Sequence, residues 1–80
     1  MPLSTEVDNF VKAASASLPR VSEIIAAFSV EDRAGAFELA ERRYEQAARD
    51  FGCDEAETKR WVTALTRKLR VLVVEAESAT

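Results

Sequence analysis

The feature that most constrains this 80-residue chain is the recurrence of apolar residues at intervals of three and four along nearly its whole length. This spacing places side chains on one face of an α-helix. Only two glycines and two prolines are present, so few positions can interrupt the pattern. The β-branched residues 71–74 also suit a strand, but no second segment could pair with them. The sequence therefore predicts an all-α fold in a single domain, residues 1–80.

Pro19 divides the N-terminal part of the chain. The residue before a proline is disfavoured in helical conformation, so a first helix should end near Ser17. Pro19 itself suits the first position of a helix, and a second, short helix should follow it and include Phe28. Placed end to end, the two predicted helices are as long as either of the helices that follow.

Two long helices are predicted for the rest of the chain. Ser29, with Asp32 three residues later, is a capping signal for a helix over about 30–51. Gly52 adopts the left-handed conformation at little cost and can end that helix, and Asp54 begins the capping signal of the last one. We therefore expect a bundle of four helices, in which two short N-terminal helices form one leg and pack on a long antiparallel helical hairpin.

The chain lacks the residues that most enzyme and metal sites need. It has no histidine and one cysteine, Cys53. An internal disulfide, a zinc site built from cysteine and histidine, and histidine-based catalysis are therefore excluded. Glu38, Glu41 and Glu45 have no matching acidic set on another helix that could complete a two-metal site. We expect no enzyme activity, no catalytic residue, no metal and no cofactor.

No apolar run approaches the roughly 20 residues that cross a bilayer. The first residues also lack the basic and apolar regions of a signal peptide. These features predict a cytoplasmic protein with no membrane partner. A lone core is marginal in a chain of this size, so self-association would add stability.

Several apolar residues fall away from the predicted core faces. Val71 and Val74 share a flank of the last helix with Ala64, and Leu39 lies off the apolar stripe of the preceding helix. Helices that are apolar over much of their circumference are usually buried on more than one side. The sequence thus predicts a non-catalytic protein-interaction module that forms a homodimer through the hairpin or binds another protein. Its candidate interface residues are Leu39, Ala64, Val71 and Val74.

A basic stretch is the second candidate surface. Residues 59–70 hold five basic side chains and no acid, a local charge of +5 in a chain of net charge −3. Such a face can bind nucleic-acid phosphates, or it can be solvated or paired with acids of the preceding helix. The candidate nucleic-acid contacts are Lys59, Arg60, Thr63, Arg67 and Arg70.

Residues 47–62 resemble the helix-turn-helix of DNA-binding proteins, with an alanine four residues before Gly52 and Trp61 nine residues after it. The resemblance implies a DNA-binding regulator whose turn lies at residues 52–54. The helix end that would enter the DNA groove carries acidic residues, and these would repel the phosphates. Nucleic acid is therefore the disfavoured partner, and DNA binding is the alternative function. The base-facing positions that the resemblance implies are Asp54, Glu55, Lys59, Arg60 and Thr63.

Overall fold

The computed structural model describes residues 5–78, and these form three α-helices with no strand among them. Helix α1 spans Thr5–Ala26, α2 spans Val30–Asp50 and α3 spans Glu55–Ser78. The prediction of an all-α bundle is confirmed. The prediction of four helices, with two short ones at the N-terminus, is wrong, because α1 continues through Pro19.

Burial explains why Pro19 does not break α1. Its side chain is exposed. Because proline has no N–H, the carbonyl of Ser15 lacks its helical hydrogen-bond partner, but Ser15 is only partly buried. On the opposite side, Leu18 and Ile25 are almost fully buried, and both belong to one apolar stripe that is continuous across the proline. Burying each such side chain contributes about 1.5–3 kcal/mol, which together outweighs the roughly 3 kcal/mol that an interior proline costs. Tertiary packing therefore overrides the local preference.

The turn between α2 and α3 is confirmed in detail. Gly52 has a φ of +92°, the left-handed conformation expected after a helix. Its N–H donates to the carbonyl of Arg49, and the N–H of Cys53 donates to that of Ala48, each at 3.0 Å. These are the two hydrogen bonds of the Schellman motif. Gly52 therefore ends α2 and directs the chain back along it.

The capping signals at the two helix starts behave differently. At α3, the N–H of Glu57 donates to the Asp54 carboxylate at 2.7 Å, and the N–H of Asp54 donates to that of Glu57 at 3.1 Å. This is a reciprocal capping box. At α2, the Ser29 hydroxyl instead donates to the Asp32 carboxylate at 2.8 Å and makes no cap to the backbone. The predicted helix start is correct there, but the expected side-chain cap is absent.

The three helices run up, down and up. Phe10 of α1 contacts Phe51, just after α2, with ring centroids 6.2 Å apart, so these two helices are antiparallel. At the far end, Arg33 of α2 pairs with Glu77 of α3 at 3.0 Å. Of the three helix pairs, α1 and α3 make the most contact and α1 and α2 the least. The core is consequently closed on its α1–α3 side and open between α1 and α2.

Candidate interaction groove

An open groove of about 510 Å³ lies between α1 and α2, where these helices make the least contact. Its walls are mostly apolar side chains, and several of them are alanines. From α1 and the turn that follows, the lining residues are Phe10, Ala13, Ala14, Ser17, Val21, Ile24, Ile25 and Phe28; from α2 and its cap they are Ala36, Leu39, Ala40, Arg43, Tyr44, Ala47 and Phe51.

Four large apolar side chains converge on this groove while remaining substantially exposed. Ile24 is 52% exposed, Phe28 45%, Leu39 52% and Phe51 39%. They make up four of the seven large apolar residues that are exposed among residues 5–78. Isolated exposed apolar residues are common on any protein, but a contiguous group in a concave surface is typical of a binding site. The groove is therefore the candidate functional site.

The length of the groove suits an α-helix. Phe10 and Phe51 meet at one end, and Phe28 lies at the other. From Phe10 to Ala26, where α1 ends, 16 residues advance about 24 Å along the helix, and Phe28 lies just beyond that end. The groove is thus long enough to accept about four turns of a further helix, and it is open along one side.

The polar groups of the groove are few. Arg43 is the only lining residue that carries a charge, and it is exposed. The Tyr44 hydroxyl is buried without a hydrogen-bond partner among residues 5–78. The Ser17 hydroxyl donates to the carbonyl of Ala14 at 2.7 Å and so is satisfied within its own helix. Recognition in this groove would therefore depend on apolar contact, with charge contributed only at the edges.

The structure distributes the four predicted interface residues over two surfaces. Leu39 lines the groove, whereas Ala64, Val71 and Val74 are exposed on α3 and do not. Sequence reasoning missed Ile24 and Phe28 as site residues, because a short helix starting at Pro19 placed both on its core face. A signal did exist: in one continuous α1, positions 10, 13, 17, 21, 24 and 28 form a second stripe beside the core stripe.

The basic stretch occupies exposed positions of α3, and Thr63, Arg67 and Arg70 lie on the side that faces α2. The predicted contacts Lys59, Arg60, Thr63, Arg67 and Arg70 are all exposed. Arg67 and Arg70 line a shallow depression of about 280 Å³ together with Glu41 of α2. Within residues 5–78, however, the ion pairs are Lys12 with Asp8 and Arg33 with Glu77, so the basic stretch makes none. Pairing with acids of the preceding helix is therefore not observed there.

Two cations of this stretch lie over aromatic rings, Arg60 over its neighbour Trp61 at 5.7 Å and Arg70 over a ring of α2. The guanidinium carbon of Arg70 lies 4.4 Å from the ring centroid of Phe37, a contact that secures α3 against α2. Arg70 thus has a structural role that requires no ligand.

The course of α2 and α3 differs from that of a helix-turn-helix. The two helices of that motif cross at about 90–120°. Here α2 and α3 run back along each other, from the turn at Gly52 to the ion pair of Arg33 with Glu77 at the far end. Residues 52–54 therefore form the turn of an antiparallel hairpin.

Cys53 lies in this turn and is a buried free thiol. Burial raises its pKa, and the negative charges of Glu57, Asp54 and Glu6 raise it further. Because the thiolate is the reactive form, this environment keeps the sulfur unreactive. Cys53 therefore serves packing, together with the buried Ala48 at the end of α2.

Residues 5–78 contain no group of three or more cysteine or acidic residues arranged to hold a metal ion. No helix among them has both the length and the apolar character required to span a membrane. Comparisons of this chain with models of protein families, with curated proteins and with solved structures found no match.

Proposed function

We propose that this protein is a non-catalytic protein-interaction module that docks a partner helix in the α1–α2 groove. The observation that carries the proposal is the convergence of Ile24, Phe28, Leu39 and Phe51, all substantially exposed, on one groove. An amphipathic helix laid in an apolar groove is a recurring mode of protein recognition. The length of about 24 Å and the open side suit a helix better than a compact small molecule, whose surface a site usually encloses.

The exposed apolar surface sets the scale of the affinity. Complete burial of such a side chain contributes about 1.5–3 kcal/mol, so four that are about half exposed would contribute about 3–6 kcal/mol in total. The apolar face of the partner would contribute a similar amount. Association itself costs at least several kcal/mol, so we expect a dissociation constant of about micromolar order.

Self-association, which the sequence predicted through the α2–α3 hairpin, is a special case of this function. Of the four residues proposed for that interface, only Leu39 lies in the groove. A homodimer that uses the groove would therefore bury Leu39 and leave Val71 exposed. We also propose a cytoplasmic location, because the one cysteine is free and buried, as is usual in a reducing compartment.

The antiparallel course of α2 and α3 counts against the DNA-binding alternative. A recognition helix needs to project from its neighbour in order to enter a major groove. In this bundle α3 is packed against both α1 and α2, and its C-terminal part pairs with α2 through Glu77 and Arg33.

The test uses an 18-residue helical peptide with leucines at i, i+3, i+4 and i+7 spacing and an uncharged polar face. Binding is followed by chemical-shift changes in the ¹⁵N-labelled protein. We expect saturable binding with shifts concentrated at the groove. Leu39→Glu should weaken it at least about tenfold, because a charge replaces a buried apolar contact. Val71→Glu is the matched control, since Val71 is 53% exposed and Leu39 52%, yet only Leu39 lines the groove.

Val71→Glu should change the affinity less than about twofold. Circular dichroism verifies that both variants remain folded. Absence of saturable binding to the unmodified protein, or an equal loss in both variants, would show that the groove is not a docking surface.

A further inference from the structure

The edges of the groove carry two arginines, Arg43 and Arg20. Arg43 lines the groove on the α2 side. Arg20 lies three residues after Ser17 and four before Ile24, which places it beside these two lining residues on the α1 side. Both arginines are exposed, and neither forms an ion pair among residues 5–78. No carboxylate lines the groove.

The two arginines lie at nearly the same height, close to the midpoint of the groove. Phe10 and Phe51 mark one end. Arg20 lies ten residues from Phe10, or about 15 Å along α1, and Arg43 lies eight residues from Phe51, or about 12 Å along α2. The full length is about 24 Å, so the positive charges flank the centre.

The acids near the groove lie toward its two ends, apart from Glu23, which is exposed on α1 three residues after Arg20 and forms no ion pair with it among residues 5–78. Glu6 and Asp50 are close in sequence to Phe10 and Phe51, at one end. Asp32, at the start of α2, is at the other. Arg20 and Arg43 are therefore the cations nearest the middle of the groove, and Glu23 lies farther from the lining residues than Arg20 does.

From this pattern, and resting on the proposed function, we infer that the docked partner is an acidic amphipathic helix, with carboxylates flanking the middle of its apolar face. Guanidinium groups bind carboxylates through two parallel hydrogen bonds, and long arginine side chains can reach over the edge of a docked helix. Charge pairs at the rim of an apolar interface mainly set partner choice and association rate. Apolar contact would hold the helix, and the two arginines would select it.

The same charges argue against a second copy of this chain as the occupant. In a two-fold symmetric dimer built on this face, the midpoint of one groove meets the midpoint of the other. Arg20 and Arg43 of one protomer would then lie close to the same residues of its partner. Like charges placed together at an interface oppose assembly, so the pattern suits a different chain with the opposite charge.

The experiment compares two 18-residue helical peptides that share one leucine face. One has glutamate on both flanks of its middle turns, and the other has lysine at the same positions. Fluorescence anisotropy at low salt should show the acidic peptide binding about tenfold more tightly. The difference should shrink as salt rises, because exposed charges are screened.

A charge-reversal variant then tests the two residues. Arg20→Glu combined with Arg43→Glu should invert the order, so that the lysine peptide binds more tightly. The matched control, Arg42→Glu combined with Arg67→Glu, makes the same change in net charge at two exposed arginines outside the groove and should preserve the order.

The outcomes separate this inference from the proposed function. Equal binding of both peptides, or an order that the Arg20 and Arg43 reversal leaves unchanged, overturns the acidic partner while the groove remains a docking surface. Binding of neither these peptides nor the uncharged one overturns both. Sedimentation as a dimer that Leu39→Glu dissociates would assign the groove to a second copy and overturn the acidic partner.

Discussion

Replacing Pro19 with alanine should stabilise the protein, and this substitution tests whether α1 is one helix. Pro19 lies in the interior of α1 with its side chain exposed. Alanine supplies the N–H that proline lacks, and this group can donate to the carbonyl of Ser15 four residues earlier. No buried contact is lost, because the neighbouring core residue Leu18 faces the other way.

The expected gain follows from two opposing terms. Proline in a helix interior is about 3 kcal/mol less favourable than alanine. Removing proline also increases the freedom of the unfolded chain, which costs about 0.4–1 kcal/mol. The net gain in the free energy of unfolding is therefore about 2 kcal/mol. For a domain of this size, each kcal/mol shifts the melting temperature by about 4–8 °C, so Tm should rise by about 8–16 °C.

Thermal melts and urea titrations followed by far-ultraviolet circular dichroism measure this change. The stability of Pro19→Gly should lie between those of the unmodified protein and Pro19→Ala, since glycine is about 1 kcal/mol less favourable than alanine in a helix. Arg20→Ala, at the next exposed position, should change stability by less than about 0.5 kcal/mol. If Pro19→Ala melted at or below the temperature of the unmodified protein, the helix would end at this residue and α1 would be two helices.

The other predictions concern the turn between α2 and α3. Gly52→Ala should lower the free energy of unfolding by about 1–2 kcal/mol, because its φ is +92° and a Cβ there would lie 3.3 Å from Cγ of Glu6. Gly35→Ala, within α2, should instead raise the free energy of unfolding by about 0.5–1 kcal/mol, because no atom lies within 4 Å of the added Cβ. Urea titrations measure both changes, and a Gly52→Ala variant more stable than Gly35→Ala would contradict the turn geometry. The raised pKa of the Cys53 thiol means that the unfolded chain loses this proton first, so its contribution to stability is complete below about pH 8.5 and declines above it. The decline in the free energy of unfolding with pH should be smaller in Cys53→Ala. An identical pH dependence in the two proteins would show that folding does not raise the pKa of this thiol.

Much of the hairpin could be predicted from the sequence because its signals are local. The end of α2 needs a residue that accepts a positive φ, and Gly52 is one of the two glycines present. The start of α3 needs an acceptor followed three residues later by an acid, and Asp54 with Glu57 forms that pair. Such features depend on neighbours within one turn of the chain, so they can be recognised without knowing the fold.

The site could be predicted only in part, for a related reason. Leu39 was identified because it lies off the core stripe of its own helix. Ile24 and Phe28 were not, because the assumed break at Pro19 changed which helix they belonged to. Val71 and Val74 satisfy the same sequence criterion as Leu39, but they lie on an outer surface of α3, away from the groove.

The sequence by itself determined that the chain is helical, where α2 and α3 begin and end, and that catalysis through histidine is excluded. The tertiary structure decided that α1 passes through Pro19, because burial of Leu18 and Ile25 against the other helices outweighs the tendency of proline to end a helix. It also decided which exposed apolar residues share a surface. Three helices leave one pair farther apart than the others, and only the packing of α1 against α3 determines that the opening falls between α1 and α2.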